Sequence, residues 1–156
     1  LDYYLYGLRD EKISSSKNFK VHPVVSYRES VNLIKSADLL LMPYQTKVSI
    51  NSDNFNDDIS QFISPLKMFE YLATGIPIIS SDLKVLREIL KDQKNSLLVK
   101  NYTNPFAWKK AILNLSNNYS LRNYISKNSL ATAEKNTWKK RSEKIHNIYL
   151  KKIKND

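Results

Sequence analysis

The sequence predicts an α/β domain organised on a parallel β-sheet, and three observations carry that prediction. Strand-like and helix-like patterns alternate from residue 19 to residue 118, as they do in successive β–α–β units. Two short apolar runs, Leu39-Leu40-Leu41-Met42 closed by Pro43 and the run around Ile76, Ile78 and Ile79, read as buried parallel strands. Between them, residues 64–82 read SPLKMFEYLATGIPIISSD, a helix with start and stop signals that leads directly into a buried strand.

Taken in order, the chain begins with Leu1-Asp2-Tyr3-Tyr4-Leu5-Tyr6-Gly7, an aromatic, strand-like run ending in glycine. With no methionine or leader before it, the expectation is an excised piece whose domain begins upstream. Residues 8–18, with Ser14-Ser15-Ser16, read as a loop, and Phe19 to Val25 as a second strand. Tyr27 to Ala37 places Val31, Leu33 and Ile34 on one side and is a modest amphipathic helix. After the Leu39–Met42 strand, residues 45–63 form the longest stretch without periodicity. A loop that long inside a compact domain is usually functional or disordered, and here it follows the carboxyl end of a buried strand, where α/β proteins bind ligands.

In the 64–82 stretch, Ser64 is a good N-cap and Pro65 suits the first helical position. Leu66, Phe69, Leu72 and Ala73 recur at helical spacing as the core face, and Gly75 ends the helix. Leu83 to Leu90 reads as a short helix and Asn95 to Val99 as a strand. Asn104-Pro105 repeats the cap-then-proline start for a helix carrying Phe106, Trp108, Ala111, Ile112 and Leu115. Leu121, Tyr124 and Ile125 begin another helix, and Trp138, Ile145, Ile148, Tyr149 and Ile153 mark a last amphipathic one, with Trp138 as a core anchor. The organisation is one domain over residues 1–156, with a core of about 1–118 and C-terminal helices of about 119–155.

Composition limits the function classes. The length of 156 residues, the 42% hydrophobic share and the 26% charged share are those of a single globular domain. There is no apolar run long enough for a transmembrane helix and no secretory apolar region. The absence of cysteine excludes disulfides and thiolate metal sites, and His22 and His146 are too far apart in sequence to support a metal site. The net charge of +10 is concentrated late: residues 1–100 hold 13 Lys/Arg against 12 Asp/Glu, and residues 101–156 hold 12 against 3. A basic helical tail suits nucleic acid, an anionic membrane surface, or solubility alone.

The chemically suggestive feature is the polar side of the Ser64 helix. A helix start carries unpaired N–H groups and a partial positive charge, so it favours an anion such as phosphate. Lys67 in the first turn is at the end where the helix dipole disfavours a cation, unless an anion shares the site. Glu70, one turn on, has the chemistry to accept hydrogen bonds from a ribose diol. The competing explanation is an exposed ion pair between Lys67 and Glu70 with no ligand, and by themselves these residues favour it. Asp57-Asp58 and Trp138-Lys139-Lys140-Arg141 are weaker candidates. With only Gly7 and Gly75, a glycine-rich phosphate loop is excluded.

Together, Ala37-Asp38-Leu39-Leu40-Leu41-Met42-Pro43-Tyr44, then Ser64-Pro65-Leu66-Lys67-x-Phe69-Glu70-Tyr71-Leu72-Ala73-x-Gly75-x-Pro77-Ile78, then Ser81-Asp82 and Leu86-Arg87-Glu88, resemble the C-terminal domain of family 4 glycosyltransferases of the GT-B fold. The likeness runs from about Phe19 to Trp138-x-x-Arg141. It implies a Rossmann-like parallel sheet with helices on both faces and a helical C-terminal tail. It also implies a donor site for a nucleoside-diphosphate sugar, facing an acceptor-binding N-terminal domain that is missing here. The resemblance assigns Glu70 to the donor ribose, and Ser64, Pro65 and Leu66 to backbone contacts with sugar and diphosphate. Pro43 and Tyr44 stand near the start of the donor loop. Many members carry a first glutamate eight positions before the one matching Glu70; here that residue is Phe62, and Lys67 is the candidate compensation, stabilising the leaving group.

The implied reaction transfers a sugar to an acceptor hydroxyl with retention and without a metal ion or other cofactor, in cell-surface polysaccharide or glycolipid synthesis. The implied setting is cytoplasmic, peripheral at the inner face of the membrane, with an anionic membrane surface or lipid-linked acceptor as a further partner and no nucleic acid. The isolated chain is expected to be inactive without its N-terminal domain. Two alternatives stay open: a basic nucleic-acid-binding module using residues 101–156, and a non-catalytic interaction domain that keeps the fold, which Phe62 encourages.

Overall fold

The computed structural model describes residues 1–6, 15–45 and 65–153, in two compact units, Leu1–Ser36 and Ala37–Asp156. In the first unit β1 (Tyr3–Tyr6) pairs in parallel with β2 (Phe19–His22), Tyr3 opposite Phe19 and Tyr6 opposite His22. The alternation of the two strands puts Tyr4, Tyr6, Lys20 and His22 on one face. There the His22 ring stacks on Tyr6, with centroids 4.5 Å apart and planes 11° from parallel. The helix α1 (Tyr27–Ser36) begins with a reciprocal cap: the Ser26 N–H donates to Glu29 Oε2 at 2.9 Å, and the Glu29 N–H donates to Ser26 Oγ.

The second unit holds a three-stranded parallel sheet in the order β3 (Leu40–Met42), β4 (Ile78–Ser81), β5 (Leu97–Val99). Leu40 lies opposite Ile78, and Ile79 opposite Leu97. β4 is central and every one of its residues is buried, which is why its sequence shows no in–out alternation. The crossover between β3 and β4 includes α2 (Leu66–Thr74). Beyond β5 come α3 (Pro105–Asn117), α4 (Tyr119–Lys135) and α5 (Trp138–Ile153). A parallel sheet with a helical crossover between β3 and β4, ending in a helical tail, is the α/β Rossmann-like architecture that the sequence predicts.

The core of this unit joins Leu40, Met42, Ile78, Ile79, Leu97, Leu98 and Val99 of the sheet to Met68 and Leu72 of α2, Ile112 and Leu115 of α3, and Ile125 of α4. α4 packs on both α2 and α3. It also holds the approach to β5: Asn95, itself buried, donates to Thr132 Oγ1 at 3.0 Å, and Ser129 Oγ donates to the Asn95 carbonyl at 3.3 Å. Among the predicted caps, the Asn104 side chain accepts the Phe106 N–H at 2.9 Å, with Pro105 at the first helical position.

Four sequence expectations are corrected. α2 starts one residue later than expected: Pro65 is the N-cap, extended at φ −69°, ψ 119°, and Leu66 is the first helical residue. Proline's fixed φ fits either role, so the sequence alone does not separate them. The core face of α2 is Met68 and Leu72, whereas Leu66 is 61% exposed and Ala73 is also exposed. Residues 83–90 form turns and a 3₁₀ turn, Leu86–Glu88, and not an α-helix. Their bonds mix i−3 and i−4 partners, and the Asn95 side chain captures the Ile89 carbonyl and the Lys91 N–H that a continuing helix would use. Finally, Trp138 is 71% exposed and Phe106 76% exposed, so neither anchors the core.

Gly75 closes α2 in the left-handed region, φ 72°, and its N–H donates to the Leu72 carbonyl at 3.2 Å. A Cβ there would also sit 2.9 Å from Leu130 Cγ of α4. We expect Gly75→Ala to destabilise the fold by about 1–2 kcal/mol, the cost of a non-glycine residue in that backbone region. The Leu130→Ala background removes the steric contact and leaves the backbone cost, so denaturant melts of both single variants and the double variant separate the two.

Candidate functional site

The candidate residues gather at the carboxyl edge of the three-stranded sheet. Parallel strands all leave the sheet on that side: Pro43 and Tyr44 follow β3, Asp82 follows β4 and Lys100 follows β5. The Tyr44 N–H turns back to the Met42 carbonyl at 2.9 Å, which bends the chain sharply as it leaves β3. Pro43 is exposed and Tyr44 is half-buried.

The start of α2 supplies the second part. Pro65 gives no side-chain cap, and the Met68 N–H bonds to the Pro65 carbonyl at 3.0 Å. First-turn amides lack intrahelical acceptors, so this end presents N–H groups together with the positive end of the helix dipole. Lys67 is exposed in that first turn, and α2 carries no acidic residue there to offset it. Glu70 is half-buried one turn further on. Ser64 and Phe62 lie outside the described residues, as do Asp57 and Asp58.

The structure also brings together residues the sequence reading did not connect. Burial raises the Tyr44 hydroxyl above its ordinary pKa. Burial also raises Tyr71, and the nearby charges of Tyr44 and Glu70 push it further up. Tyr71 thus senses both Tyr44 and Glu70, and burial favours the neutral form of both phenols. A neutral phenol both donates and accepts, which suits a polar ligand such as a sugar diol. Tyr71 directly follows Glu70, and nothing in its spacing separates it from an ordinary helix aromatic.

A third feature fixes the edge itself. The Arg87 guanidinium makes a bidentate ion pair with Asp82; the carboxylate side chain is 4% exposed and the guanidinium 56%. Hydrogen bonding from Arg87 lowers the Asp82 pKa, aided by the charges of Arg87 and Lys100 and opposed by burial. The Asp82 N–H also donates to the Val99 carbonyl at 3.1 Å, so the exit of β4 is tied to β5. Next to it, Ser81 is fully buried with its hydroxyl unpaired among the described residues. His22 and His146 fall on different units, and among the described residues no three His, Cys, Asp or Glu side chains are grouped to hold a metal.

Comparison with known families gives a match to the family described as Glycosyl transferases group 1 over residues 6–132. Comparison with curated proteins gives no match. Among solved structures, the fold is similar to the sucrose-phosphate synthase of Thermosynechococcus elongatus, with a TM-score of 0.70 and 14% identity over 98% of this chain and 39% of that one. It is also similar to HepE of Anabaena in complex with UDP-glucose, with a TM-score of 0.55 and 13% identity over 77% of this chain and 28% of that one. The chain thus spans well under half the length of either relative.

Two outcomes test the electrostatics of this edge. Replacing Glu70 by Gln removes a negative charge near Tyr71, so the Tyr71 pKa should move down; NMR titration of ring-labelled tyrosine reads this directly. The Asp82 pKa is lower folded than unfolded, so its contribution to stability is complete above the ordinary aspartate value and is lost as pH falls through the folded one. Asp82→Asn should therefore be less stable than the parent at neutral pH, with the gap closing below about pH 4 in acid melts.

Proposed function

This chain belongs to the glycosyl transferases group 1 family, and we propose that it is the donor half of a GT-B glycosyltransferase that takes a nucleoside-diphosphate sugar. The observation that carries the reading is the family match across residues 6–132, which includes α2 with Lys67 and Glu70 at the carboxyl edge of a parallel sheet. A nucleotide sugar is the substrate class that a helix start, a nearby lysine and a carboxylate would suit together. UDP-glucose bound to HepE, a protein of similar fold, supports the same class of donor.

In the proposed reaction the sugar leaves its nucleoside diphosphate and joins an acceptor hydroxyl, with retention at the anomeric carbon. The bond between that carbon and the diphosphate oxygen breaks, and the bonding pair departs with the nucleotide. Negative charge grows on the diphosphate, so preorganised N–H donors and a cation lower the barrier. In this chain the first turn of α2 and Lys67 would meet that charge. Glu70 would hold the ribose, with Ser64, Pro65 and Leu66 near the sugar and diphosphate and Pro43 and Tyr44 at the start of the donor loop. No metal ion takes part in the proposed chemistry. Phe62 stands where many members carry the first glutamate, so the sugar would be held differently here.

The acceptor would be held by an N-terminal domain outside this chain, so the isolated chain should bind donor without turning it over. The proposed setting is cell-surface polysaccharide or glycolipid synthesis, cytoplasmic and peripheral at the inner face of the membrane.

Calorimetric titration of UDP, GDP, ADP and dTDP into the folded chain tests the reading. At least one should bind, and Glu70→Ala should weaken it by roughly tenfold or more, the scale of one or two lost hydrogen bonds to a charged group. Equal affinity of parent and variant would remove the ribose role of Glu70. Failure of all four nucleotides to bind would remove the donor reading.

A further inference from the structure

Two phenols at the candidate site have hydroxyls that the chain itself does not use. Tyr44 and Tyr71 are both half-buried, and among the described residues neither hydroxyl has a hydrogen-bond partner. They come from different elements. Tyr44 follows β3, its backbone bent back on the Met42 carbonyl, and Tyr71 is the sixth residue of α2. Tyr44 already has a place in the proposed donor site, and Tyr71 has none.

The direction of α2 decides where the Tyr71 ring can reach. Three residues separate Thr74 from Ile78, so α2 ends at the amino edge of β4. Running back along the sheet, as a parallel crossover requires, its nine residues begin about 13 Å away at the carboxyl edge. Leu40 is level with Ile78, so Tyr44, four residues beyond Leu40, leaves β3 at that same edge. Side chains on a helix lean toward its N-terminus, so the Tyr71 ring reaches back over the preceding turn toward the start of α2. Viewed down the axis, Met68, Tyr71, Lys67 and Glu70 succeed one another over about 160°. Met68 is in the core, which puts Tyr71 at the margin of the core with Lys67 on its outer side. Glu70 and Tyr71, three and four residues after Lys67, are its two neighbours on the next turn. Electrostatics agrees with this placement: burial raises the Tyr71 pKa, and the charges of Tyr44 and Glu70 raise it further.

The three side chains differ in what they offer a ligand. Lys67 only donates, an ionised Glu70 only accepts, and a neutral phenol does either without adding charge. An anion at the helix start meets the free amide N–H groups and Lys67, while the Glu70 carboxylate repels it. The Tyr71 hydroxyl is the remaining donor on that turn, and burial keeps its proton in place. In a nucleoside diphosphate the acceptor it suits is a phosphate oxygen, with the ribose left to Glu70.

We infer that the Tyr71 hydroxyl is a further contact for the donor, giving a hydrogen bond to a phosphate oxygen of the nucleoside diphosphate beside Lys67, with Tyr44 at the same edge. The inference rests on the donor reading above and adds to it a residue that sets affinity for the diphosphate.

Tyr71→Phe keeps the ring and removes only the hydroxyl. In calorimetric titrations of UDP, GDP, ADP and dTDP, a nucleotide that the parent binds should bind the variant about tenfold more weakly, the scale of one hydrogen bond to a charged group. The matching nucleoside, without phosphates, should lose nothing. NMR of ring-labelled tyrosine in the parent gives a second reading: bound diphosphate should move the Tyr71 pKa further up, because a nearby anion opposes the phenolate. Superimposable thermal melts of parent and variant would exclude misfolding as the cause of weaker binding. Unchanged diphosphate affinity in the variant would overturn the inference, as would an equal loss for the nucleoside, which would put the hydroxyl on the ribose. A Tyr71 pKa that does not respond to bound nucleotide would overturn it whatever the variant does. A parent that binds none of the four nucleotides removes the donor reading itself, whereas equal binding by parent and variant removes only Tyr71.

Discussion

Burial of β4 is the constraint on which the rest of the second unit depends. Its four residues, Ile78 to Ser81, are covered on both faces and paired on both edges. A strand in that position has no access to water, so each backbone group has to find a neighbour, and β3 and β5 supply them. The same burial sets a demand on the side chains. Ser80 meets it by donating to the Ser81 carbonyl at 3.2 Å, whereas the Ser81 hydroxyl has no partner among the described residues. An unpaired buried hydroxyl costs about 1–3 kcal/mol, and here it falls at the last position of the strand, where the sheet opens toward the candidate site.

That edge is built from tethers more than from a cavity. The bidentate Asp82–Arg87 pair and the Asp82–Val99 bond hold the exit of β4, and Asn95 organises the turn before β5. α4 then reaches across, touching Gly75 at the end of α2 through Leu130 and Asn95 through Ser129 and Thr132. The consequence is that one helix holds both the end of α2 and the approach to β5. Lys67 and Glu70 ride on a segment whose far end cannot shift without disturbing α4. Preorganisation of that kind is what a site for a charged ligand requires, because donors already in position have no ordering to lose on binding.

Much of this was readable in the residues. An apolar run closed by Pro43 marked β3, the run after Gly75 and Pro77 marked β4, Asn104-Pro105 marked the start of α3, and Gly75 marked the end of α2, since each is a local signal whose physics is complete within a few residues. The Ser26-x-x-Glu29 cap of α1 is equally legible by its spacing. Residues 83–90 misled because their apolar spacing is helical, while the groups that end the helix early come from Asn95, beyond the window that periodicity reads. Trp138 and Phe106 misled for a related reason. Aromatic size argues for burial, but burial needs a partner surface, and helical spacing does not say whether one is present.

The sequence by itself determined the class of fold and the order of its strands, because those follow from local periodicity, capping chemistry and a family pattern. It also determined where the charge lies, with the basic excess confined to the last third. Only the tertiary structure decided which side of α2 faces the core, that Tyr71 senses Tyr44 as well as Glu70, and that the apolar side chains of α5 are exposed. These are matters of rotation and proximity between segments far apart in the chain. They are set by how whole surfaces pack, and a stretch such as residues 64–82 takes its meaning from neighbours that its own sequence does not contain.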